Sequence, residues 1–150
     1  GVEISNPGHQ YGYIKFKSKQ IHSLIKLSEL LIKKYKIKKK NILGHSDIAP
    51  LRKLDPGEKF PWKYLSKKKI GIWHTLNPQK LMSLRKKKSD MNLVIFLNYL
   101  KKIGYCVKYS NAKELSKIIK IFQMRFRPEI INGKLDIECY EIAKSLKNLK

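Results

Sequence analysis

A loop between residues 44 and 57 concentrates the residue types that could do chemistry. It reads Gly-His-Ser-Asp-Ile-Ala-Pro-Leu-Arg-Lys-Leu-Asp-Pro-Gly, so His45 follows a short apolar segment and Asp55 closes the loop. A neutral imidazole and a carboxylate are suitable zinc ligands, and one loop can bring both onto the same ion. The spacing alone favours a turn with a hydrogen-bonded histidine over a metal site, and both interpretations stay open at this point.

Two further charged residues could take part in an attack on a carbonyl group. Lys53 comes two residues before Asp55, and its ammonium could stabilise the negative charge that develops on the carbonyl oxygen. Glu3 lies in a predicted strand near the start of the chain, and its carboxylate could take a proton from an attacking water. These residue types together could carry out hydrolysis at a metal ion, with the turn as the alternative that the spacing favours.

The loop resembles the C-terminal signature of the type 2 N-acetylmuramoyl-L-alanine amidases, which are zinc enzymes. Residues 44–62, GHSDIAPLRKLDPGEKFPW, are similar to the family pattern GHSDIAPGRKxDPGxxFPW and depart from it mainly at Leu51. Residues 1–8 are similar to the strand and turn that contain the family's Gly-Ile-Glu and Asn-Pro-Gly motifs. The resemblance covers residues 1–66 and includes several separate motifs in the same order.

The resemblance implies a role for each of the four candidate residues. His45 matches a zinc histidine, Asp55 matches the zinc aspartate, Lys53 matches the lysine that stabilises the oxyanion, and Glu3 matches the catalytic glutamate. A further zinc histidine is expected on a strand upstream of the glutamate motif, so we expect two of three protein ligands in this chain. The other histidines in this half, His9 and His22, are expected in a loop or cleft and on a helix surface.

The implied activity is zinc-dependent hydrolysis of the bond between N-acetylmuramic acid and L-Ala, with peptidoglycan or muropeptides as partner. The alternative is a non-catalytic peptidoglycan-binding protein on the same fold, which is favoured because the first zinc histidine is not among the residues of this chain. The resemblance favours a bacterial cell envelope or periplasmic location, with the cytoplasm as the alternative.

The C-terminal part resembles the three-helix peptidoglycan-binding domain that follows the amidase domain in similar enzymes. The resemblance rests on Phe122-Gln123, Asn132-Gly133 and Asp136, with Cys139 in place of the usual threonine. Helical spacing and turn residues predict three helices, at residues 92–103, 113–126 and 137–146. Phe122 and Phe126 are expected in the core of this module.

The remaining elements predict an α/β fold class, and the resemblance implies a partial amidase fold of mixed sheet and flanking helices. Strands are expected at residues 1–5 and 41–44, and helices at residues 19–35 and 60–65. Residues 67–90 are dense in lysine and predict a basic linker with a partly ordered start at residues 70–73. The predicted domains are therefore residues 1–66, the linker 67–90, and a small all-α domain at residues 91–150.

The net charge of +23 invites a nucleic-acid interpretation, because 34 basic residues oppose 11 acidic ones. Thirty of the basic residues are lysines, however, and only four are arginines, whereas base readout favours the planar fork of arginine. We therefore expect a solvated basic surface and no specific nucleic-acid partner. No apolar run is long enough to span a membrane, and Cys106 and Cys139 predict buried apolar residues, with a single disulfide left open.

Overall fold

Every regular element is helical in the computed structural model, which describes residues 1–85, 87 and 90–149. The described α-helices are α1 (Ser18–Tyr35), α2 (His45–Ile48), α3 (Trp62–Lys67), α4 (Pro78–Arg85), α5 (Leu93–Lys102), α6 (Ala112–Phe126) and α7 (Ile137–Leu146). Short 3-10 turns lie at His9–Tyr11 and Lys39–Asn41. Within the described ranges, none of these helices has the length and apolar character needed to cross a membrane.

The predicted α/β class with a mixed sheet is wrong, because no strand occurs among the described residues. A strand needs a neighbouring strand to complete its ladder of backbone hydrogen bonds. At residues 42–44 the backbone groups bond locally or to side chains instead, and the Ile42 N–H donates to the carbonyl of Lys39 at 3.2 Å. The Ile42 carbonyl accepts from Arg125 at 3.2 Å, and the Gly44 N–H donates to Asp47 at 2.7 Å.

Helix α1 and the loop before α3 form the first of two hydrophobic cores. The helix begins one residue earlier than predicted, and Gln20 Oε1 accepts the N–H of Lys17 at 2.9 Å, which satisfies a backbone donor at the helix start. Ile21 and Ile25 are the buried residues of α1. This core contains Ile21, Ile25, Phe60, Trp62, Leu65 and Ile70, with Ile4, Phe16 and Ile42 partly buried against it.

Helices α5, α6 and α7 form the second core, and the positions predicted for them are confirmed. Each begins after a polar N-cap side chain, Asn92, Asn111 or Asp136, which accepts a backbone N–H of the first turn. The core is rich in aromatic rings, since Phe96, Phe122 and Phe126 are all buried, as predicted for the last two. Cys106 and Cys139 are both free thiols, and Cys139 is fully buried.

The segment predicted as a linker contributes buried residues and a helix. Ile70 and Ile72 are buried, and α4 packs against α7. Arg85 at the end of α4 donates to both carboxylate oxygens of Glu138 at 2.9 Å. The basic cluster that follows Arg85 lies partly outside the described residues, which omit Lys86, Lys88, Ser89 and Lys150. The domain boundaries remain a prediction.

The two cores meet along a junction between the segments before and after the predicted linker. Trp73 is partly buried against both cores. A side chain at Gly104, where φ is +95°, would place its Cβ 2.8 Å from Leu43 Cδ1. Glycine is therefore needed here both for the left-handed backbone and for the close approach of Leu43. The loop that carries the candidate site residues is thus packed against the C-terminal helices.

Replacement of Phe96 by Ala should lower the free energy of unfolding by about 3–5 kcal/mol, because a large cavity would remain between α5 and α6. Phe96 is fully buried and contacts Phe122 edge-on, with ring centroids 5.5 Å apart. Val94→Ala on the same helix is the control, since Val94 is 66% exposed and should change stability by less than about 0.5 kcal/mol. Urea denaturation of the three proteins measures both values, and equal losses would contradict the assigned packing.

Candidate metal and catalytic site

The loop from Gly44 to Gly57 is closed by backbone contacts at its two ends. The N–H of Ser46 donates to the carbonyl of Asp55 at 2.9 Å. Gly44 lies so close to Pro56 that a Cβ at residue 44 would be 2.7 Å from the proline Cδ. The one-turn helix α2 starts at His45. These contacts bring His45 and Asp55, at opposite ends of the loop, onto the same side.

His45 and Asp55 form a side-chain pair that is open to solvent. Nδ1 of His45 lies 3.1 Å from Oδ2 of Asp55, and the two side chains are 46% and 61% exposed. Tetrahedral zinc with bond lengths of about 2.0–2.2 Å places neighbouring ligand atoms about 3.3–3.6 Å apart. The observed separation is close to that value, so the two donor atoms can take one ion after a small adjustment. The donor set fits zinc.

Glu3 and Lys53 are not bonded to this pair. Lys53 lies in the same loop and is half-buried, while Glu3 is exposed and lines a groove against α1 with Lys19, Ser23 and other residues. Among the residues that the structure describes, no group of three or more His, Cys, Asp or Glu side chains could hold a metal. The roles of Glu3, Lys53, His45 and Asp55 remain predictions.

The segment after the Asn-Pro-Gly turn holds the far end of the loop. His9 Nε2 lies 2.9 Å from Oε2 of Glu58, and the imidazole stacks on Tyr13 with ring centroids 4.3 Å apart. The Tyr13 hydroxyl donates to the carbonyl of Pro56 at 2.6 Å and accepts the N–H of Lys59 at 3.0 Å. His9 therefore lies in a loop, where it contacts Glu58, and His22 lies exposed on α1.

Gly57 is required where these two segments meet. Its φ is +81°, and a Cβ at this position would lie 2.6 Å from the Tyr13 hydroxyl and 2.9 Å from His9 Cε1. Partial burial raises the pKa of Tyr13 to about 12, although the bonded N–H of Lys59 opposes that shift. The neutral phenol of Tyr13 consequently holds the backbone next to Asp55 through its hydrogen bond to Pro56.

Sequence reasoning missed the buried residues beneath this loop. Asp47 and Arg125 form a buried ion pair, with side chains 2% and 3% exposed, and Arg125 also lies over the ring of Trp62. The pair joins residues 78 positions apart in the chain. No local sequence pattern predicts such a contact. In the sequence, nothing distinguishes Asp47 from the other polar residues of the loop. The only available signal was an arginine within the apolar stretch of α6.

The loop and the preceding segment lie in the part of the chain that matches a known protein family. Residues 1–58 match the family described as N-acetylmuramoyl-L-alanine amidase. This match confirms the resemblance predicted from the sequence for that part of the chain. The resemblance of the C-terminal helices to a peptidoglycan-binding domain remains a prediction.

The chain is similar in sequence to N-acetylmuramoyl-L-alanine amidase AmiD from Escherichia coli K12. The two are 36% identical over 153 aligned positions, which include 97% of this chain and 55% of the relative. The chain thus spans about half the length of this relative. The alignment with this relative therefore includes the C-terminal helices as well as residues 1–58.

Two solved structures are similar to this fold. One is E. coli AmiD in complex with the substrate anhydro-N-acetylmuramic acid-L-Ala-D-gamma-Glu-L-Lys, with a TM-score of 0.77 and 37% identity over 90% of this chain and 53% of that chain. The other is AmpDh3 from Pseudomonas aeruginosa in complex with an anhydromuramic pentapeptide, with a TM-score of 0.77 and 30% identity over 90% of this chain and 54% of that chain.

The contact between Tyr13 and the loop should weaken in alkaline solution. The pKa of Tyr13 is raised in the folded state, from an ordinary value of 10.0 to about 12, so folding favours the protonated phenol. Its contribution to stability is therefore complete below pH ~10 and is lost as the pH rises towards ~12. Tyr13→Phe should lack this component, which unfolding free energies of both proteins across that range will measure. Parallel curves for the two proteins would contradict the burial of this hydroxyl.

Proposed function

We propose that the protein hydrolyses the amide bond between N-acetylmuramic acid and L-Ala, and that it does so with zinc. The observation that carries this proposal is the contact of His45 with Asp55, since Nδ1 and Oδ2 lie 3.1 Å apart in a loop within the family-matched region. Both side chains are exposed on the outer face of that loop, so an ion held between them would be accessible to a substrate. A hydrolytic zinc site needs such an open position.

Muropeptides are the proposed substrate class. The similar structures from E. coli and P. aeruginosa hold an anhydromuramic peptide, and this supports the same ligand chemistry for this chain. The reacting bond joins the lactyl carbonyl of muramic acid to the amino group of L-Ala. Intact peptidoglycan contains the same bond, so the proposal applies to soluble fragments and to the wall polymer.

Each of the four predicted residues has a proposed role in the hydrolysis. His45 and Asp55 would hold the zinc ion, which when bound acts as a Lewis acid that polarises the scissile carbonyl. Glu3 would take the proton of the attacking water and pass it to the departing amino group of L-Ala. Lys53 would place a positive charge beside the oxygen on which negative charge develops. Attack of water breaks the amide and leaves a carboxylic acid and a free amine.

The division of roles can be tested in a chimera in which this chain replaces the matching part of E. coli AmiD. The chimera should bind zinc and release the peptide from an anhydromuramic peptide. Asp55→Ala should lose zinc and activity together, because it removes a ligand. Glu3→Ala should retain zinc and lose turnover by about 10²–10⁴-fold, as expected for a general base. Metal analysis and chromatographic detection of the released peptide provide the two readouts.

Two outcomes would contradict parts of this proposal. A loss of bound zinc in Glu3→Ala would show that Glu3 is a ligand and not the base. A chimera that binds the muropeptide without cleaving it would instead support the alternative of a non-catalytic peptidoglycan-binding protein. Val2→Ala, next to Glu3 and 47% exposed, is the matched control and should leave both readouts unchanged.

We also propose that the C-terminal helices bind the cell wall polymer. A chain with a net charge of +23 will adhere to anionic polymers through charge alone, so the assay must separate the two effects. The intact chain should sediment with purified peptidoglycan, and part of the binding should persist in 1 M salt, where the Debye length is only about 3 Å. Complete loss of sedimentation in salt would reduce the interaction to electrostatic adhesion.

A further inference from the structure

A buried arginine of the C-terminal helices reaches the loop that carries His45 and Asp55. Arg125 lies near the end of α6, and its side chain is 3% exposed. Nη1 donates to the carboxylate of Asp47, and Nη2 donates to the carbonyl of Ile42 at 3.2 Å. The guanidinium carbon lies 3.8 Å from the ring centroid of Trp62. All three partners belong to the N-terminal part of the chain.

Asp47 connects this arginine to His45. It lies two residues after His45 in α2, and its Oδ2 also accepts the N–H of Gly44 at 2.7 Å, the residue directly before His45. Its backbone carbonyl accepts the N–H of Cys106 at 3.1 Å. Helix α6 therefore holds the side chain of Asp47, and the segment between α5 and α6 holds its backbone. The turn that orients the His45 imidazole is fixed between these contacts.

We propose that Arg125 is a positioning residue, which acts through Asp47 to keep His45 within reach of Asp55. The inference rests on the proposed function in that this pair is taken to hold zinc. Arg125 makes no hydrogen bond to His45 or Asp55, so its effect passes through α2. A planar guanidinium can donate in two directions and stack on an indole at once, which the ammonium of a lysine cannot do. Loss of these bonds would leave Asp47 as a buried charge without its partner, and α2 would shift to expose it to water.

The chain offers a matched control two residues further along. Arg127 is as deeply buried as Arg125, with 2% exposure, and is also held by acidic side chains. Its Nη1 donates to Asp136 at 2.5 Å and to Glu138 at 3.0 Å, and both partners belong to the C-terminal helices. Arg127→Lys therefore disturbs a buried ion pair of similar kind without touching the loop of His45 and Asp55.

The first experiment measures zinc affinity of the whole chain by competition with a chromophoric chelator. Arg125→Lys should weaken zinc binding by about tenfold or more, the effect expected when a partner that orients a metal ligand is lost. Arg127→Lys should retain the affinity of the unmodified chain at a comparable loss of thermal stability. Equal weakening in both variants would overturn the positioning role and leave Arg125 as a residue of general stability.

The second experiment needs no metal and follows amide hydrogen exchange in the loop. The N–H of Gly44 bonds to Asp47 and the N–H of Ser46 bonds to the carbonyl of Asp55, so both report whether α2 is held in place. Arg125→Lys should accelerate exchange of these two amides by about tenfold relative to Arg127→Lys, because local opening becomes easier. Equal exchange in both variants would overturn the proposal.

The two readouts separate this proposal from the proposed function. If the unmodified chain binds no zinc, the assignment of the metal to His45 and Asp55 in this chain fails, and the exchange rates alone decide whether Arg125 positions α2. If Arg125→Lys does not fold, Asp47→Asn takes its place. The asparagine keeps an oxygen that can accept the N–H of Gly44 but removes the charge that pairs with Arg125. It should accelerate exchange of the Ser46 amide, and unchanged exchange would contradict the proposal.

Discussion

The ion pair between Asp47 and Arg125 is the contact on which the arrangement of the two cores depends. Burial of two charges costs free energy, and the cost is offset only when further hydrogen bonds complete the geometry. Here the Gly44 N–H, the Ile42 carbonyl and the Trp62 ring supply those further contacts. A shift of either core would break these contacts. The pair therefore fixes the position of the loop that carries His45 and Asp55.

A neighbouring phenol shows how closely charge is controlled at this junction. Tyr105 is 4% exposed, and burial together with the negative charge of Asp47 raises its pKa well above the ordinary value. It stays neutral over the whole physiological range. The charged groups described at the junction are thus already paired, while the many lysines of the chain lie outside the cores. The high lysine content consequently changes the charge of the surface and not the packing of the cores.

Local signals predicted the helices well because they act over a few residues. Asn92, Asn111 and Asp136 cap the three C-terminal helices with their own side chains, and Gly104 follows α5 with a positive φ. The predicted mixed sheet was wrong, because a strand forms only when it pairs with another segment, and local signals do not report that pairing. Residues 41–44 were predicted as a short buried strand. Ile42 is partly buried against the first core, but its carbonyl bonds to Arg125 and the Gly44 N–H bonds to Asp47, so no strand forms there.

The residues of the candidate site likewise differ in whether the local sequence could predict their positions. His45 and Asp55 lie on one short loop, so their spacing and the motif around them indicated a common location. Neither Glu3 nor Lys53 bonds to that pair. The sequence placed Lys53 in the same loop, but it offered no information on the distance between Glu3 and the pair. Arg125 is separated from Asp47 by 78 positions, and only a three-dimensional structure could connect the two.

The position of the indole rings has a spectroscopic consequence. The chain contains two tryptophans, and both lie at the junction: Trp62 beneath the Arg125 guanidinium, and Trp73 against both cores. Their fluorescence therefore reports contact between the two halves more directly than the state of either core. Circular dichroism in the far ultraviolet, in contrast, follows the helices themselves. If the two halves separated with their helices intact, the wavelength of the tryptophan emission maximum would change, while the far-ultraviolet ellipticity would stay almost constant.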